Sequence, residues 1–255
     1  MSDETPSAKQ LRVDFVIGGA QKGGTTALDE MLRRHPGVAM ARVKEPHWFD
    51  DEAAFAGAVP DMTPYHELWG DKLGRMPCGE ATPIYSWWPT AAKRIRAYNP
   101  AMKWVLLLRD PASRAYSHWN MERSRGETTL PFEEALDREV RTILERPDVF
   151  SSVDSYLARG FYAYQIEQLD ALFPREQVLA LRSEWLRDDP TGTVGRVLGF
   201  LGVEPAGKVD PVDARVGEYE KPLDPGTREK LARFFEPDIR RLEALLDWDL
   251  SDWLS

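Results

Sequence analysis

One turn near the start constrains this chain more than any other feature: Gly18-Gly19-Ala20-Gln21-Lys22-Gly23-Gly24-Thr25-Thr26-Ala27-Leu28. An apolar run, Phe15-Val16-Ile17, precedes it, and Leu28, Met31 and Leu32 share one helical face after it. Strand, glycine turn and helix start in that order make a phosphate cradle. Backbone N–H groups converge there, and the helix dipole adds roughly half an elementary positive charge. A nucleotide-kinase loop reads G-x-x-x-x-G-K-[ST]. Here Thr25 stands where that lysine belongs, and the loop's own lysine, Lys22, comes three residues earlier. The ammonium therefore meets a bound phosphate from a different side, which points away from ATP γ-phosphoryl transfer.

The rest of the chain repeats the strand-then-helix theme. Lys103–Leu108 reads as a second buried strand ending in Arg109-Asp110-Pro111, with a helix from about Ala112. Further helices are predicted at Phe132–Leu144, Phe161–Leu172 and Val194–Leu201, and a third strand at Val178–Leu181. The last helix, Thr227–Leu246, is expected to turn Leu231, Phe234, Leu242 and Leu245 inward and to kink or split at Pro237. Residues 1–11 read as a loose polar leader, and residues 37–100 as an irregular segment that carries function. Alternation of this kind predicts an α/β fold, a P-loop-like central parallel sheet with helices on both faces, in a single domain over residues 1–255.

Charge narrows the possible ligands. The formal net charge is −9, so bulk attraction to nucleic acid or anionic membrane is not expected, and an anionic ligand must find a local basic constellation. The single cysteine, Cys78, reads as a packed thiol, and the four dispersed histidines leave no cluster with metal-ligand spacing, so no metal is expected. There is no secretory pattern, and no run approaches the roughly 18 apolar residues of a membrane span. The expected location is cytoplasmic and soluble, with the oligomeric state open.

Two further segments carry chemistry. In Lys44-Glu45-Pro46-His47-Trp48-Phe49-Asp50, Pro46 is expected to hold Glu45 extended, so that Glu45 and His47 face one side as a proton-handling pair. The competing reading is a solvated surface loop. In Arg109-Asp110-Pro111-Ala112-Ser113-Arg114-Ala115-Tyr116-Ser117, Arg109 leaves the carboxyl end of a buried strand, where open α/β sheets place ligands. Its planar fork suits a phosphate. The competing reading pairs Arg109 with Asp110 or Glu80.

Gln21 to Leu28, Lys44 to Phe49, and Leu108 to Ser117 together resemble the PAPS-dependent sulfotransferases (PAPS is 3′-phosphoadenosine 5′-phosphosulfate), closest in pattern to the heparan-sulfate N- and 3-O-sulfotransferase type. Arg159-Gly160-Phe161-Tyr162 and the stretch from Tyr219 to Trp253 are similar too. The resemblance implies that Lys22, Gly23, Gly24, Thr25 and Thr26 hold the 5′-phosphosulfate and that Arg109 and Ser117 hold the 3′-phosphate. Lys221 stands in for a basic loop that closes the nucleotide site. Glu45 matches the base of the glycosaminoglycan enzymes, with Lys22 at the breaking bond. His47 is the rival base, or else orients the acceptor. Two departures, Ala81 in place of a lysine and the sparse Glu220-Lys221-Pro222, weigh against a polysulfated acceptor. His47, Trp48, Tyr85 and Trp88 are the candidate acceptor wall, for a glycan, glycolipid or small-molecule hydroxyl, or an amine. The alternatives are a P-loop small-molecule kinase and a non-catalytic nucleotide-binding module.

Overall fold

The computed structural model describes residues 11–57, 60–205, 207–212 and 221–255. The strands are β1 (Phe15–Gly19), β2 (Ala39–Met40), β3 (Cys78–Ala81), β4 (Lys103–Leu108) and β5 (Val178–Arg182). They form one sheet in the order β2-β3-β1-β4-β5, and every pairing is parallel. The helices are α1 (Thr25–Arg33), α2 (Thr63–His66), α3 (Ala91–Tyr98), α4 (Pro111–Ser124), α5 (Phe132–Glu145), α6 (Tyr162–Asp170), α7 (Ser183–Asp188), α8 (Pro190–Leu201) and α9 (Pro225–Leu246).

Side chains alternate across a strand, and the central strands divide the core accordingly. Val16, Trp104, Leu106 and Leu108 join the apolar cluster that includes α6 and α9 residues Ile166, Phe235 and Leu242. Phe15, Ile17, Val105 and Leu107 join the opposite cluster with Leu28 and Leu32 of α1 and Val197 and Leu198 of α8. Both faces are covered, as the near-continuous apolar runs of β1 and β4 require.

Three expectations need correction. Residues 37–100 are not irregular throughout: they supply β2, β3, α2 and α3, and β3 pairs directly with β1. Cys78-Gly79-Glu80-Ala81 is short and has a carboxylate at its centre, so it lacks an apolar signal although all four residues are buried. Helix α9 runs unbroken through Pro237. Its buried stripe is Leu231, Phe235, Ile239 and Leu242, whereas Phe234 and Leu245 are exposed. Packing of that stripe offsets the hydrogen bond that proline removes. The next residue, Asp238, accepts bonds from Ala163 N (3.0 Å) and Tyr164 N (3.4 Å) and so caps the start of α6. The leader lies outside the described residues apart from Leu11, as do Tyr219 and Glu220 of the carboxyl-terminal motif.

Candidate active site

The turn after β1 is pressed against β4. Ala20 N donates to Leu107 O (2.9 Å) and Gly23 N to Ala20 O (2.9 Å). A Cβ on Gly23 would lie 2.2 Å from the Leu107 carbonyl oxygen, so no other residue fits there. Gly24 has φ +97°, which L side chains rarely adopt, and it stands at the N-cap of α1. Among the described residues no side chain caps that helix. Its amino-terminal N–H groups and dipole therefore face a cleft of about 1100 Å³.

Lys22, Gly24, Thr25, Thr26, Arg109 and Ser117 all line this cleft, and Glu45 and His47 line it too. The three sequence segments thus converge. Gly23 lies beneath them, buried against β4. Lys22 Nζ rests 3.6 Å from Met121 Sδ. Burial lowers the Lys22 pKa, and Arg125 and Arg109 lower it further, while Glu122 and Glu45 oppose them.

Arg109 is free of both carboxylates that compete for it. Asp110 caps α4, accepting from Ala112 N (3.2 Å) and Ser113 N (3.1 Å), and pairs with Arg228 at 2.7 Å. Glu80 is fully buried and takes hydrogen bonds from Tyr65 (2.8 Å), Tyr85 (3.1 Å) and Thr82 (2.5 Å). Its pKa is pushed up to about 7 by burial, against those bonds. Arg109 instead donates to the Lys22 carbonyl at 3.4 Å and keeps its fork in the cleft.

The Glu45 segment meets the expected partner by an unexpected route. Glu45 is not extended: its φ is +55°, and His47 has φ +54°. Tertiary bonds outweigh the local preference set by Pro46. Glu45 N donates to Ala81 O (3.1 Å), and the Tyr85 hydroxyl accepts from Trp48 N (3.1 Å) and Phe49 N (3.4 Å). In this conformation His47 Nε2 lies 3.4 Å from Glu45 Oε2, and His47 Nδ1 lies 2.7 Å from Asp50 Oδ2. Lys44 Nζ closes on Glu45 Oε1 at 2.5 Å. Hydrogen bonds to Asp50 and then Glu45 raise the His47 pKa to about 10. Burial would raise that of Glu45, but the bonds from His47 and Lys44 bring it down to about 2. At neutral pH His47 is an imidazolium and Glu45 a carboxylate, so of the two only Glu45 has a free lone pair for a proton. Non-glycine residues with positive φ are uncommon. Among the described residues there are four, and three of them, Lys22, Glu45 and His47, line the cleft.

The aromatic wall is corrected. Tyr85 is fully buried with its hydroxyl occupied beneath the Glu45 segment, Trp48 stacks on Tyr65 at 5.6 Å, and Trp88 donates to Glu52 at 2.8 Å. None of the three lines the cleft, because the core and the 80–90 loop use their rings for packing. Lys221 does not line it either; it is exposed, and its carbonyl accepts from the Tyr116 hydroxyl at 2.8 Å. The cleft adds residues not anticipated. Met121 and Arg125 continue the face of α4 that carries Ser117 at helical spacing, a signal present in the sequence. Glu122 pairs with Arg125 at 3.4 Å. Arg159 enters from the short turn Ala158–Gly160, and no spacing rule links it to the loop.

Fold and site together define a P-loop-like α/β protein whose cleft, at the turn after its central strand, brings together Lys22, Arg109 and Glu45. The chain belongs to the sulfotransferase domain family, which it matches over residues 12–217. It is 34% identical over 77% of its length to human heparan sulfate glucosamine 3-O-sulfotransferase 3B1, of which the match covers 47%. The chain thus spans about half the length of the curated relatives it matches. A sulfotransferase from Alicyclobacillus acidocaldarius superposes with a TM-score of 0.81 at 31% identity, covering 96% of this chain and 99% of that one. Mouse sulfotransferase SULT7A1, solved with PAP, shares the fold at a TM-score of 0.53 and 16% identity, over 92% of this chain and 86% of its own.

The expected cytoplasmic location does not stand. The relatives are named for heparan sulfate and other carbohydrates and extend well beyond the matched region. Among the described residues no helix is long and apolar enough to cross a membrane, which by itself assigns no compartment.

Proposed function

We propose that this protein transfers a sulfuryl group from PAPS to a sugar hydroxyl. The observation that carries the reading is the convergence on one cleft of an uncapped helix start, two cations from neighbouring turns and a carboxylate with a free lone pair. Lys22 to Thr26 hold the 5′-phosphosulfate, and Arg109 with Ser117 holds the 3′-phosphate. Leu186, Pro211 and Val212 give the cleft an apolar end for the nucleoside. Relatives named for heparan sulfate support a carbohydrate acceptor. Ala81 is buried in β3, with its carbonyl bonded to Glu45 N, so it adds no charge for a polysulfated chain.

Sulfuryl transfer is an in-line displacement governed by positioning and electrostatics, as phosphoryl transfer is. The acceptor oxygen attacks sulfur and its proton passes to Glu45. The bond from sulfur to the bridging oxygen breaks, and its electron pair stays on the phosphate of PAP. Lys22 offsets that growing charge. Protonated His47, fixed by Asp50, orients the Glu45 carboxylate. Displacement of Lys44 from Glu45 by the acceptor raises the basicity of the carboxylate for this step.

Two measurements test the reading. By calorimetry PAP should bind more tightly than ADP by about 10- to 150-fold, the worth of a charged hydrogen-bonded group at about 1.5–3 kcal/mol. Equal affinities remove the 3′-phosphate assignment. In an assay of labelled sulfate transfer, Glu45→Gln should lower kcat by about 10²–10⁴-fold with PAPS binding retained. His47→Ala should do less harm to kcat. An active Glu45→Gln beside an inactive His47→Ala reverses the two roles.

A further inference from the structure

Three cations that line the cleft have no carboxylate at ion-pair distance among the described residues: Lys22, Arg109 and Arg159. The proposed function gives the first two their anions. Arg159 has none. Its residue is only 2% exposed, yet its fork is held by neutral oxygens: Nη1 donates to the Gln21 side chain and Nη2 to Ser152 O at 2.9 Å. Its guanidinium lies 4.8 Å from the Trp87 ring, and its Nε is buried without a partner. A buried charge without a counter-ion costs several kcal/mol, so a cation fixed this way waits for an anion that arrives with the ligand.

The position of Arg159 says which anion. Gln21, its main tether, is the residue before Lys22 in the phosphate loop. Gln21 and Arg159 line the same cleft as Lys22, Glu45 and His47. Arg159 is therefore tethered beside the phosphate loop, in the cleft that also holds Glu45 and His47.

We propose that Arg159 is a catalytic residue that binds the non-bridging oxygens of the PAPS sulfuryl group, with Gln21 fixing its orientation. Those oxygens stay on sulfur while the acceptor–sulfur bond forms and the bridging bond breaks. A fork locked by Gln21, Ser152 and Trp87 stabilises them with no reorganisation, the condition under which electrostatic catalysis is most effective.

The inference rests on the PAPS reading, and PAP separates the two, because PAP lacks only the sulfuryl group. In calorimetry, wild type should bind both nucleotides. Arg159→Lys and Gln21→Glu, which pairs the guanidinium with a carboxylate of the same shape as the glutamine, should keep PAP affinity and lose about tenfold in PAPS affinity. Hydrolysis of PAPS without acceptor, in which water takes the sulfuryl group to give PAP, sulfate and two protons, should fall by about 10²–10³-fold in both. If PAP and PAPS weaken together, or neither changes, Arg159 does not read the sulfuryl group. A wild type that binds neither nucleotide removes the PAPS reading, and this inference with it. Retained PAP binding certifies the fold of each variant.

Discussion

β1 and β4 lie side by side, and each runs through a tight turn into a helix, yet the two turns end differently. After β1 the N-cap of α1 is Gly24, and no side chain among the described residues caps the helix start. After β4 the N-cap of α4 is Asp110, whose carboxylate takes two of the helix N–H groups and pairs with Arg228. One helix start is kept for a ligand and the other is sealed by the chain itself. The sealing matters to the open site, because a carboxylate spent on capping and on Arg228 cannot neutralise its neighbour Arg109. An anion site thus depends on what is withheld from it as well as on what lines it.

Strain follows the same division. Left-handed backbone at an L-residue costs roughly 1–2 kcal/mol, and at the open turn and facing it Lys22, Glu45 and His47 bear that cost. No non-glycine residue of the sealed turn does.

Of changes at the two turns, Lys22→Ala at the open one should show the larger effect, a kcat loss of about 10²–10³-fold with a smaller loss in PAP affinity. An unchanged kcat with a raised KM would make the lysine a ground-state anchor and erase the catalytic half of the contrast. Asp110→Ala at the sealed turn should instead cost about 1–2 kcal/mol of stability, measured by denaturant unfolding, with the 3′-phosphate preference intact. A lost PAP-over-ADP preference without lost stability would show that Asp110 belongs to the ligand site after all.

The smallest effect concerns pH. The folded pKa of His47 is raised to about 10 from 6.5, so its ion-pair contribution is fully present below the unfolded value and fades as pH rises through about 10. The melting-temperature gap between wild type and His47→Gln should therefore be widest near pH 6 and should close toward pH 10. A gap constant with pH would mean that the Glu45–His47–Asp50 contact carries no net charge pairing. Glu45, depressed to about 2, keeps its contribution down to the acid range and loses it only as pH falls through that value.

Some of this was written in local sequence. Phe15-Val16-Ile17 and Trp104-Val105-Leu106-Leu107-Leu108 are apolar runs whose burial on two faces requires helices on both sides, and their parallel pairing follows. Gly23 and Gly24 announce the close approach and the turn that only glycine makes without strain. Ser117, Met121 and Arg125 are legible as one helix face. β3 was not, since its centre is Glu80, stable there only because Tyr65, Tyr85 and Thr82 satisfy it from other segments.

The aromatic residues show the limit clearly. Trp48, Tyr85 and Trp88 have the composition of an acceptor wall, but an aromatic ring suits a core as well as a pocket: Tyr85 is in the core, and Trp48 and Trp88 pack half-buried against it. Chain order therefore determined the open sheet and the place of its phosphate turn, because strand burial and glycine backbone are local properties. Which cations stayed unpaired, and that Arg159 joins Lys22 and Arg109 in one cleft, were settled by packing, because ion pairing depends on distances between segments far apart in the chain.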